Sequence, residues 1–253
     1  MAGEGPGRGG KRRRGAAART PTVRVKTAKG RKTSSTRWLQ RQLNDPYVVR
    51  AKAEGYRSRA AYKLIEIDDR FRILAKGRRV LDLGAAPGGW TQVAVARVGA
   101  GKPGGGAVVA LDSVPMRPIA GATLLRLDFL GEAAPAALAE AAGGPIDVVL
   151  SDLAPAATGV ARIDHLRIMA LCEAVIDFAM GVLAPGGALV TKVWRGGGEA
   201  ALVARLKRAF ATVRHVKPPA SRPESAELYL VAIGFRGAGP EAGGTPPARP
   251  ARA

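Results

Sequence analysis

Short apolar segments that end at an acidic residue alternate with longer segments of helical periodicity, and this alternation is the strongest constraint on the fold. Four of the apolar segments end at Asp82, Asp112, near Asp128, and at Asp152, and a fifth, GALVTKV, reaches Lys192. The helical patterns cover residues 89–98, 132–142, 165–184 and 199–210. Strands that alternate with helices predict an α/β fold with a mostly parallel sheet and helices on both faces.

The last two apolar segments, VRHVKP and ELYLVAIGF, are separated only by a loop, so we expect an antiparallel pair at the edge of the sheet. Right-handed crossovers place the carboxyl ends of the parallel strands along one edge, where open α/β sheets bind their ligands. The acidic residues and the lysine that end the strands are therefore expected to line a ligand crevice of a Rossmann-like domain.

The charge is concentrated at the amino-terminal end. Residues 1–37 hold twelve of the Lys and Arg residues and one acidic residue, with no Leu, Ile, Phe, Tyr or Trp, which predicts a disordered basic arm. We expect a folded domain over residues 38–236 and a disordered Gly/Pro/Ala-rich tail over 237–253. The net charge of +20 favours a nucleic-acid partner, the alternative being a basic tail that only keeps the protein soluble.

Several classes of protein are disfavoured. No apolar run approaches the ~18 residues of a membrane span, and the basic amino-terminal end lacks the apolar segment of a signal peptide. Cys172 is the only cysteine, which excludes an intramolecular disulfide and a cysteine-cluster metal site. We expect a cytoplasmic monomer without a metal.

A glycine-rich loop follows the first strand in the sequence LDLGAAPGGW. It is not a dinucleotide fingerprint, because Ala85 stands where the second glycine of that motif belongs, and it is not a phosphate-binding P-loop, because no Lys-Ser/Thr pair follows. Gly84, Gly88 and Gly89 permit close approach of the backbone, and Asp82 would repel a phosphate but hold an ammonium group. An ordinary tight turn between strand and helix is the alternative.

The other strand-end acids suggest the rest of the ligand. Asp112 is placed to accept hydrogen bonds from a ribose diol. Asp128 could accept from an exocyclic amine while Phe129 stacks on a purine. A ligand with an amino group, a ribose and an adenine, but no phosphate, is S-adenosylmethionine (SAM), which we predict as the cofactor.

Six motifs in chain order resemble the FtsJ-like ribosomal RNA 2′-O-ribose methyltransferases. They are SRAAYKL (58–64), LDLGAAPGGW (81–90), SDLAP (151–155), LAPGG (183–187), TKV (191–193) and AELYLVA (226–232). The resemblance runs from about Trp38 to Phe235 and implies a Rossmann-like SAM-dependent methyltransferase domain. It implies methyl transfer to a ribose 2′-hydroxyl, with a uridine of ribosomal RNA within the large ribosomal subunit as the target.

The resemblance also implies the site residues. The family's Lys-Asp-Lys-Glu tetrad corresponds to Lys63, Asp152, Lys192 and Glu227. Its cofactor contacts correspond to the loop Gly84, Ala85, Pro87, Gly88, Gly89 and Trp90, and to Asp82, Asp112, Asp128, Phe129 and Asp152. A lysine is a poor base at neutral pH unless its surroundings favour the neutral amine, as burial and a second lysine would. Our hypothesis is that Lys192 is the base or proton relay, that Asp152 orients it, and that Lys63 and Glu227 position the hydroxyl.

Other functions remain open on the sequence alone. The same chemistry could act on transfer RNA or an mRNA cap, and a non-catalytic RNA-binding assembly factor could share the fold. Methylation of a base amino group is disfavoured because Leu153, Ala154 and Pro155 replace the Pro-Pro-Tyr-like sequence typical of such enzymes.

Three arginines lie beside the motifs and are candidate phosphate contacts: Arg57, Arg59 and Arg195. Ala156 departs from the family pattern, which usually has Asn after the SDxAP motif.

Overall fold

The computed structural model describes residues 23–25, 30, 32–156, 158–195 and 198–237. The chain divides into two compact units, Met1–Asp45 and Pro46–Ala253. The first unit contains helix α1 (Thr33–Leu43), and the side chains of Gln40 and Asn44 hydrogen-bond to the backbone of Val23. The predicted arm boundary at residue 37 therefore falls inside a helix, because the Ser/Thr-rich start of α1 carries no apolar signal. Most of the predicted arm, and the tail beyond residue 237, lie outside the described residues.

The second unit is a seven-stranded sheet with helices around it. Its elements are α2 (Pro46–Ala53), α3 (Ala61–Phe71), β1 (Arg79–Leu83), α4 (Gly89–Val98), β2 (Ala107–Asp112), β3 (Ala122–Arg126), α5 (Ala134–Ala142), β4 (Ile146–Ser151), α6 (Ala161–Val182), β5 (Leu183–Trp194), α7 (Glu199–Ala209), β6 (Phe210–Val216) and β7 (Glu227–Phe235). The strand order is β3-β2-β1-β4-β5-β7-β6. Strands β1 to β5 are parallel, and β7 pairs antiparallel with both β5 and β6.

Neighbouring residues of each central strand face opposite sides of the sheet, and both sides are buried. Leu81 and Val149 belong to an apolar cluster with residues of α5, α6 and α7. Val80 and Val148 belong to a second cluster with residues of α3 and α4. Since helices cover both faces, the central strands can be apolar throughout. The predicted Rossmann-like fold with an antiparallel pair at one edge is confirmed.

The boundaries of some elements differ from those predicted. Strand β3 ends at Arg126, so Asp128 lies in the following loop rather than at the strand end. This strand is the outermost of the sheet and is only partly buried, so its apolar pattern is a poor guide to its length. Helix α6 begins at Ala161, four residues earlier than predicted. Among the described residues, no helix combines the length and apolar character needed to cross a bilayer.

Candidate active site

The four residues of the predicted tetrad lie in one cluster at the carboxyl edge of the sheet. Lys63, in the first turn of α3, places its Nζ 2.6 Å from Glu227 Oε1. Lys192, near the end of β5, places its Nζ 3.1 Å from Asp152 Oδ1 and 2.6 Å from the Asp152 carbonyl oxygen. Because β7 runs against β5, Glu227 at its start pairs with Trp194, two residues beyond Lys192. The topology thus brings together residues from four distant parts of the chain.

A tyrosine that the sequence reasoning missed links the two ion pairs. Tyr229 pairs directly with Lys192 across β5 and β7. Its hydroxyl donates to Asp152 Oδ1 at 2.7 Å and accepts from Lys63 Nζ at 3.1 Å. Burial, together with the carboxylates of Asp152 and Glu227, raises the pKa of Tyr229 well above 10, so the hydroxyl stays a neutral donor. Since alternate residues of a strand share a face, its position two residues after Glu227 was the available signal.

Two serines hold Glu227 in place. The buried Ser221 donates from Oγ to Glu227 Oε1 at 2.8 Å, and the Glu227 backbone N–H donates to Ser225 Oγ at 3.2 Å. The oxygen that lies 2.6 Å from Lys63 Nζ therefore also accepts from Ser221. These two donors, Lys63 and Ser221, restrict the rotation of the Glu227 carboxylate.

Each of the two lysines has a carboxylate partner, an arrangement that the sequence analysis did not predict. Lys63 and Lys192 are nearly buried, with side chains 9% exposed in each case, but each amine is paired with its own carboxylate. Lys192 Nζ contacts two oxygens of Asp152, one of its carboxylate and one of its backbone carbonyl. Both oxygens accept hydrogen bonds. The Lys192 nitrogen is therefore a hydrogen-bond donor to both oxygens in this arrangement.

A cavity of about 340 Å³ adjoins this cluster at the ends of β1, β2 and β4. Five of the residues predicted to bind the cofactor line it: Gly84, Asp112, Asp128, Phe129 and Asp152. The sequence reasoning missed its other wall residues, which include Ala86, Ser113, Val114, Leu127 and Leu153. They are small or apolar residues in loops after the strands; Ala86 and Leu153 fall within two of the six motifs, whereas Ser113, Val114 and Leu127 lie outside them. The cavity lies at the lower end of the ~300–1,000 Å³ range of small-molecule sites.

The remaining residues predicted for the cofactor do not line this cavity: Asp82, Ala85, Pro87, Gly88, Gly89 and Trp90. Trp90 is a core residue, 2% exposed, whose indole N–H donates to the Ala60 carbonyl oxygen at 2.8 Å. The glycine positions are crowded by the protein itself. A Cβ at Gly84 would lie 2.8 Å from Leu153, and one at Gly88 would lie 2.6 Å from Ile119.

The crowding explains why the loop has glycine at these positions. Gly84 and Gly88 have φ values of +76° and +108°, which glycine adopts without strain. At Gly89, a Cβ would collide with Ser58 Oγ. Remote segments pack closely onto this loop, and this packing accounts for the three glycines better than the approach of a ligand does. Of the three, only Gly84 also borders the cavity.

Two acids on the cavity wall are oriented by backbone groups. Asp112 accepts from the N–H groups of Ala86 and Val114, both at 2.8 Å, which ties the glycine-rich loop to the end of β2. Asp128 accepts from the Leu130 N–H at 3.1 Å. These bonds leave lone pairs on both carboxylates for a ligand.

Phe129 was expected to stack on a purine, but most of its ring is buried in the core. The side chain is 8% exposed, belongs to the core, and packs edge-to-face on Phe178 with 5.6 Å between ring centroids. Little of the ring is left for a purine.

Asp82 supplies the test of whether this site suits a cationic ligand. It is fully buried beneath the cavity, where Thr91 Oγ1 donates to its Oδ2 at 2.7 Å. Among the described residues its Oδ1 has no hydrogen-bond partner. Burial, with smaller effects of Asp152 and Asp112, raises the pKa of Asp82 to about 7. A buried carboxyl group with one oxygen lacking a partner, close to the carboxylates of Asp112 and Asp152 on the cavity wall, suits a positively charged ligand such as SAM, which Asp82 would influence through charge rather than direct contact.

The raised pKa of Asp82 predicts a pH-dependent stability. Its pKa is about 3.8 when unfolded and about 7 when folded, so between these values the unfolded chain binds fewer protons and the folded state loses stability as pH rises. Asp82→Asn removes the buried charge. Thermal unfolding without ligand should show the variant gaining a few kcal/mol relative to the wild type between pH 4 and pH 8. Asp112→Asn is the control, and a difference between Asp82→Asn and wild type that does not change with pH would contradict the prediction.

Two of the three candidate phosphate-binding arginines hold the structure around the site. The Arg57 guanidinium donates to the carbonyl oxygens of Arg117 at 2.7 Å and Pro118 at 2.6 Å, and also to that of Pro87 at 3.3 Å. Arg59 donates to the Ala220 carbonyl oxygen at 2.6 Å. Only Arg195 is exposed, and a phosphate contact by any of the three stays a prediction. Ala156 is exposed and offers only a methyl group to a substrate.

Comparison with known proteins identifies relatives along almost the whole folded chain. Residues 56–235 match the family described as FtsJ-like methyltransferase. The ribosomal RNA large subunit methyltransferase E of Paramagnetospirillum magneticum is 62% identical over 221 residues, covering 87% of this chain and 91% of that protein. The protein of the same name from Rhodospirillum rubrum is 59% identical over 215 residues, covering 85% and 82%.

A solved structure agrees with these sequence matches. The crystal structure of a protein described as a ribosomal RNA methyltransferase from Plasmodium falciparum has a TM-score of 0.65 and 32% identity to this chain. It covers 72% of this chain and 100% of that chain. The resemblance carried by the six sequence motifs is confirmed: the chain belongs to the FtsJ-like methyltransferase family.

Proposed function

We propose that the protein transfers a methyl group from SAM to a ribose 2′-hydroxyl of RNA, and that its target is a uridine of large-subunit ribosomal RNA. The observation that carries the proposal is the network of Lys63, Tyr229, Asp152, Lys192 and Glu227 beside a cavity lined by acids. The names of the relatives, which act on ribosomal RNA of the large subunit, support the choice of substrate.

Different residues of the cavity would contact different parts of the cofactor. SAM supplies an electrophilic methyl group attached to a positively charged sulfur. Asp112 would accept hydrogen bonds from a ribose diol, and Asp128 would accept from an adenine amine. The carboxylate of Asp152, at the boundary between the cavity and the tetrad, would face the positive charge. Asp82 adds negative potential from beneath.

The tetrad would prepare the hydroxyl that receives the methyl group. A ribose hydroxyl must be aligned with the donor and must lose its proton during the transfer. Lys192 holds its protons toward Asp152, so it can accept the hydroxyl proton once it has passed one of its own to Asp152 or to solvent. Lys63 and Glu227, fixed by Tyr229 and Ser221, would orient the hydroxyl from the other side of the site.

The network also bears on the alternative of a non-catalytic assembly factor. An RNA-binding protein has no use for two nearly buried ion pairs, because such pairs cost desolvation energy and seldom add stability. The complete tetrad therefore favours an enzyme. The same chemistry on transfer RNA or an mRNA cap is left as an outcome of the experiment.

The proposal is tested by incubating the protein with methyl-labelled SAM and five separate substrates: naked large-subunit ribosomal RNA, intact large subunits, small subunits, transfer RNA and capped mRNA. We expect label only in large-subunit material. Methylation of the 2′-oxygen makes the adjacent phosphodiester bond resistant to alkaline hydrolysis, so the label should appear in a resistant dinucleotide containing uridine. Label in a base, label confined to transfer RNA or capped mRNA, or RNA binding without any transfer would overturn the proposal.

A further inference from the structure

Three apolar side chains are exposed at the beginning of α6, the longest helix described. Val160 is 52%, Ile163 43% and Leu166 62% exposed. Arg162 and Arg167 are exposed between and beside them. We call residues 160–167 the α6 ridge. Farther along the helix the apolar residues Ile168, Cys172, Val175 and Ile176 are buried in the core. The large exposed apolar residues are therefore confined to the start of α6.

The ridge projects beyond the edge of the sheet where the tetrad lies. Cys172 Sγ donates to the Lys192 carbonyl oxygen at 2.8 Å, which places Cys172 beside the end of β5. An α-helix rises ~1.5 Å per residue, so Leu166 lies about 9 Å and Ile163 about 13 Å farther along the helix axis. Because α6 runs back along the sheet from its carboxyl edge, this displacement carries the start of the helix toward that edge and beyond it. The ridge therefore extends past the carboxyl edge on the face that α6 covers, whereas Tyr229 packs on the face covered by α3 and α4.

Asp164, the one acidic residue among residues 160–167, is buried. Asp164 is 6% exposed and accepts from the Thr158 N–H, the Thr158 hydroxyl and the Gly159 N–H. These bonds fix the loop that leads from Asp152 to α6. Asp164 therefore keeps its charge but points away from the outer surface, where Arg162 and Arg167 are exposed beside the apolar side chains; Arg167 also interacts electrostatically with Asp164.

We propose that the α6 ridge is a docking surface for the single-stranded RNA that flanks the target nucleotide. This inference rests on the proposed function and names the part of the protein that receives the substrate. A ribose inside the site cannot keep its neighbours in a regular stacked helix, so the flanking bases expose apolar faces that Val160, Ile163 and Leu166 would cover. Arg162 and Arg167 are placed to contact the flanking phosphates.

The charge of the ridge favours RNA over a protein partner. The two arginines face outward without an exposed acid among residues 160–167, and the whole chain carries a net charge of +20. An RNA strand supplies both a phosphate for each arginine and an apolar base face for each apolar side chain. A ribosomal protein that covers the ridge is the competing occupant.

Two double variants separate the apolar and the charged contributions. Ile163→Ser with Leu166→Ser removes apolar surface, and Arg162→Ala with Arg167→Ala removes two charges. Because these side chains are exposed, the variants should fold normally. The matched controls are Val49→Ser, at a residue 58% exposed on α2, and Lys207→Ala with Arg208→Ala, two exposed residues on α7.

Affinity for a labelled single-stranded oligoribonucleotide and methylation of intact large subunits are measured for every variant. We expect the apolar double variant to bind the oligoribonucleotide about tenfold more weakly with an unchanged salt dependence. The arginine double variant should lower the slope of log affinity against log salt by about 1.4, since each single-strand phosphate contact contributes ~0.7. Both should raise KM for large subunits without changing the affinity for SAM.

The outcomes distinguish this inference from the proposed function. Oligoribonucleotide affinities equal to those of the control variants would overturn the ridge as an RNA surface. Normal oligoribonucleotide binding with a raised KM for intact subunits would instead identify a protein contact, and would also overturn it. If the wild type methylates no RNA but its binding still depends on the ridge residues, the proposed function fails and the RNA contact stands.

Discussion

Lys192→Met should lower the rate of methyl transfer by at least about a thousandfold while SAM still binds. Methionine retains most of the apolar stem of lysine but removes the amine that lies 3.1 Å from Asp152 Oδ1 and 2.6 Å from the Asp152 carbonyl oxygen. Loss of a positioned proton-transfer group costs ~10²–10⁴ in rate. A further loss is expected because Asp152 then lacks the cation that balances its charge. The effect should fall on the chemical step, since Lys192 is not among the residues that line the cavity.

The measurement is single-turnover transfer to large subunits at saturating SAM, together with calorimetric titration of SAM. Thermal unfolding checks that the variant is folded, since removal of one partner from a nearly buried pair also destabilises a protein. Lys207→Met, at an exposed lysine on α7, is the matched control and should keep full activity. A rate for Lys192→Met within tenfold of the wild type would remove Lys192 from the proton-transfer step.

The general position of the site was accessible from the sequence for a topological reason. Asp82, Asp112 and Asp152 each follow an apolar segment, and parallel strands bring such ends to one edge. Lys192 and Glu227 could be placed there as well, because an antiparallel strand begins at the edge where its parallel neighbour ends. This reasoning needs only the order and direction of the strands.

What the sequence could not reveal depends on register and on contacts between remote segments. Tyr229 connects Lys63 with Asp152 only because β7 pairs with β5 so that Tyr229 faces Lys192. The glycine-rich loop seemed shaped for a ligand, yet Leu153 and Ile119 occupy the space beside Gly84 and Gly88. No local pattern predicts which distant side chain will pack against a turn.

The roles of charged residues were the least predictable part. Arg57 stands beside a catalytic motif, as a phosphate-binding residue would, but its guanidinium is engaged by three carbonyl oxygens of its own chain. The influence of the two tetrad lysines on each other stays a prediction, and the sequence did not reveal that each is paired with a separate carboxylate. Charge partners depend on distances of a few ångströms, which a strand order alone does not supply.

Asp152→Asn should lower the rate at saturating SAM by about two to three orders of magnitude, and it should also weaken SAM binding. Asp152 is the one tetrad residue that also lines the cavity. Its Oδ1 accepts from the Tyr229 hydroxyl at 2.7 Å and lies 3.1 Å from Lys192 Nζ. An asparagine oxygen can still accept from both groups, so the shape of the network is kept and only the negative charge is lost. The rate should fall because Lys192 then has no carboxylate to which it can pass a proton.

The control for Asp152→Asn is Asp112→Asn, which removes a carboxylate from the same cavity but outside the tetrad. Asp112 accepts hydrogen bonds from the backbone N–H groups of Ala86 and Val114, so its replacement should weaken SAM binding while the rate at saturating SAM stays within a few-fold of the wild type. The two variants together separate cofactor binding from catalysis. If Asp152→Asn and Asp112→Asn both lost only SAM affinity, Asp152 would be a cofactor-binding residue alone, and the proton route through the Asp152–Lys192 pair would have to be abandoned.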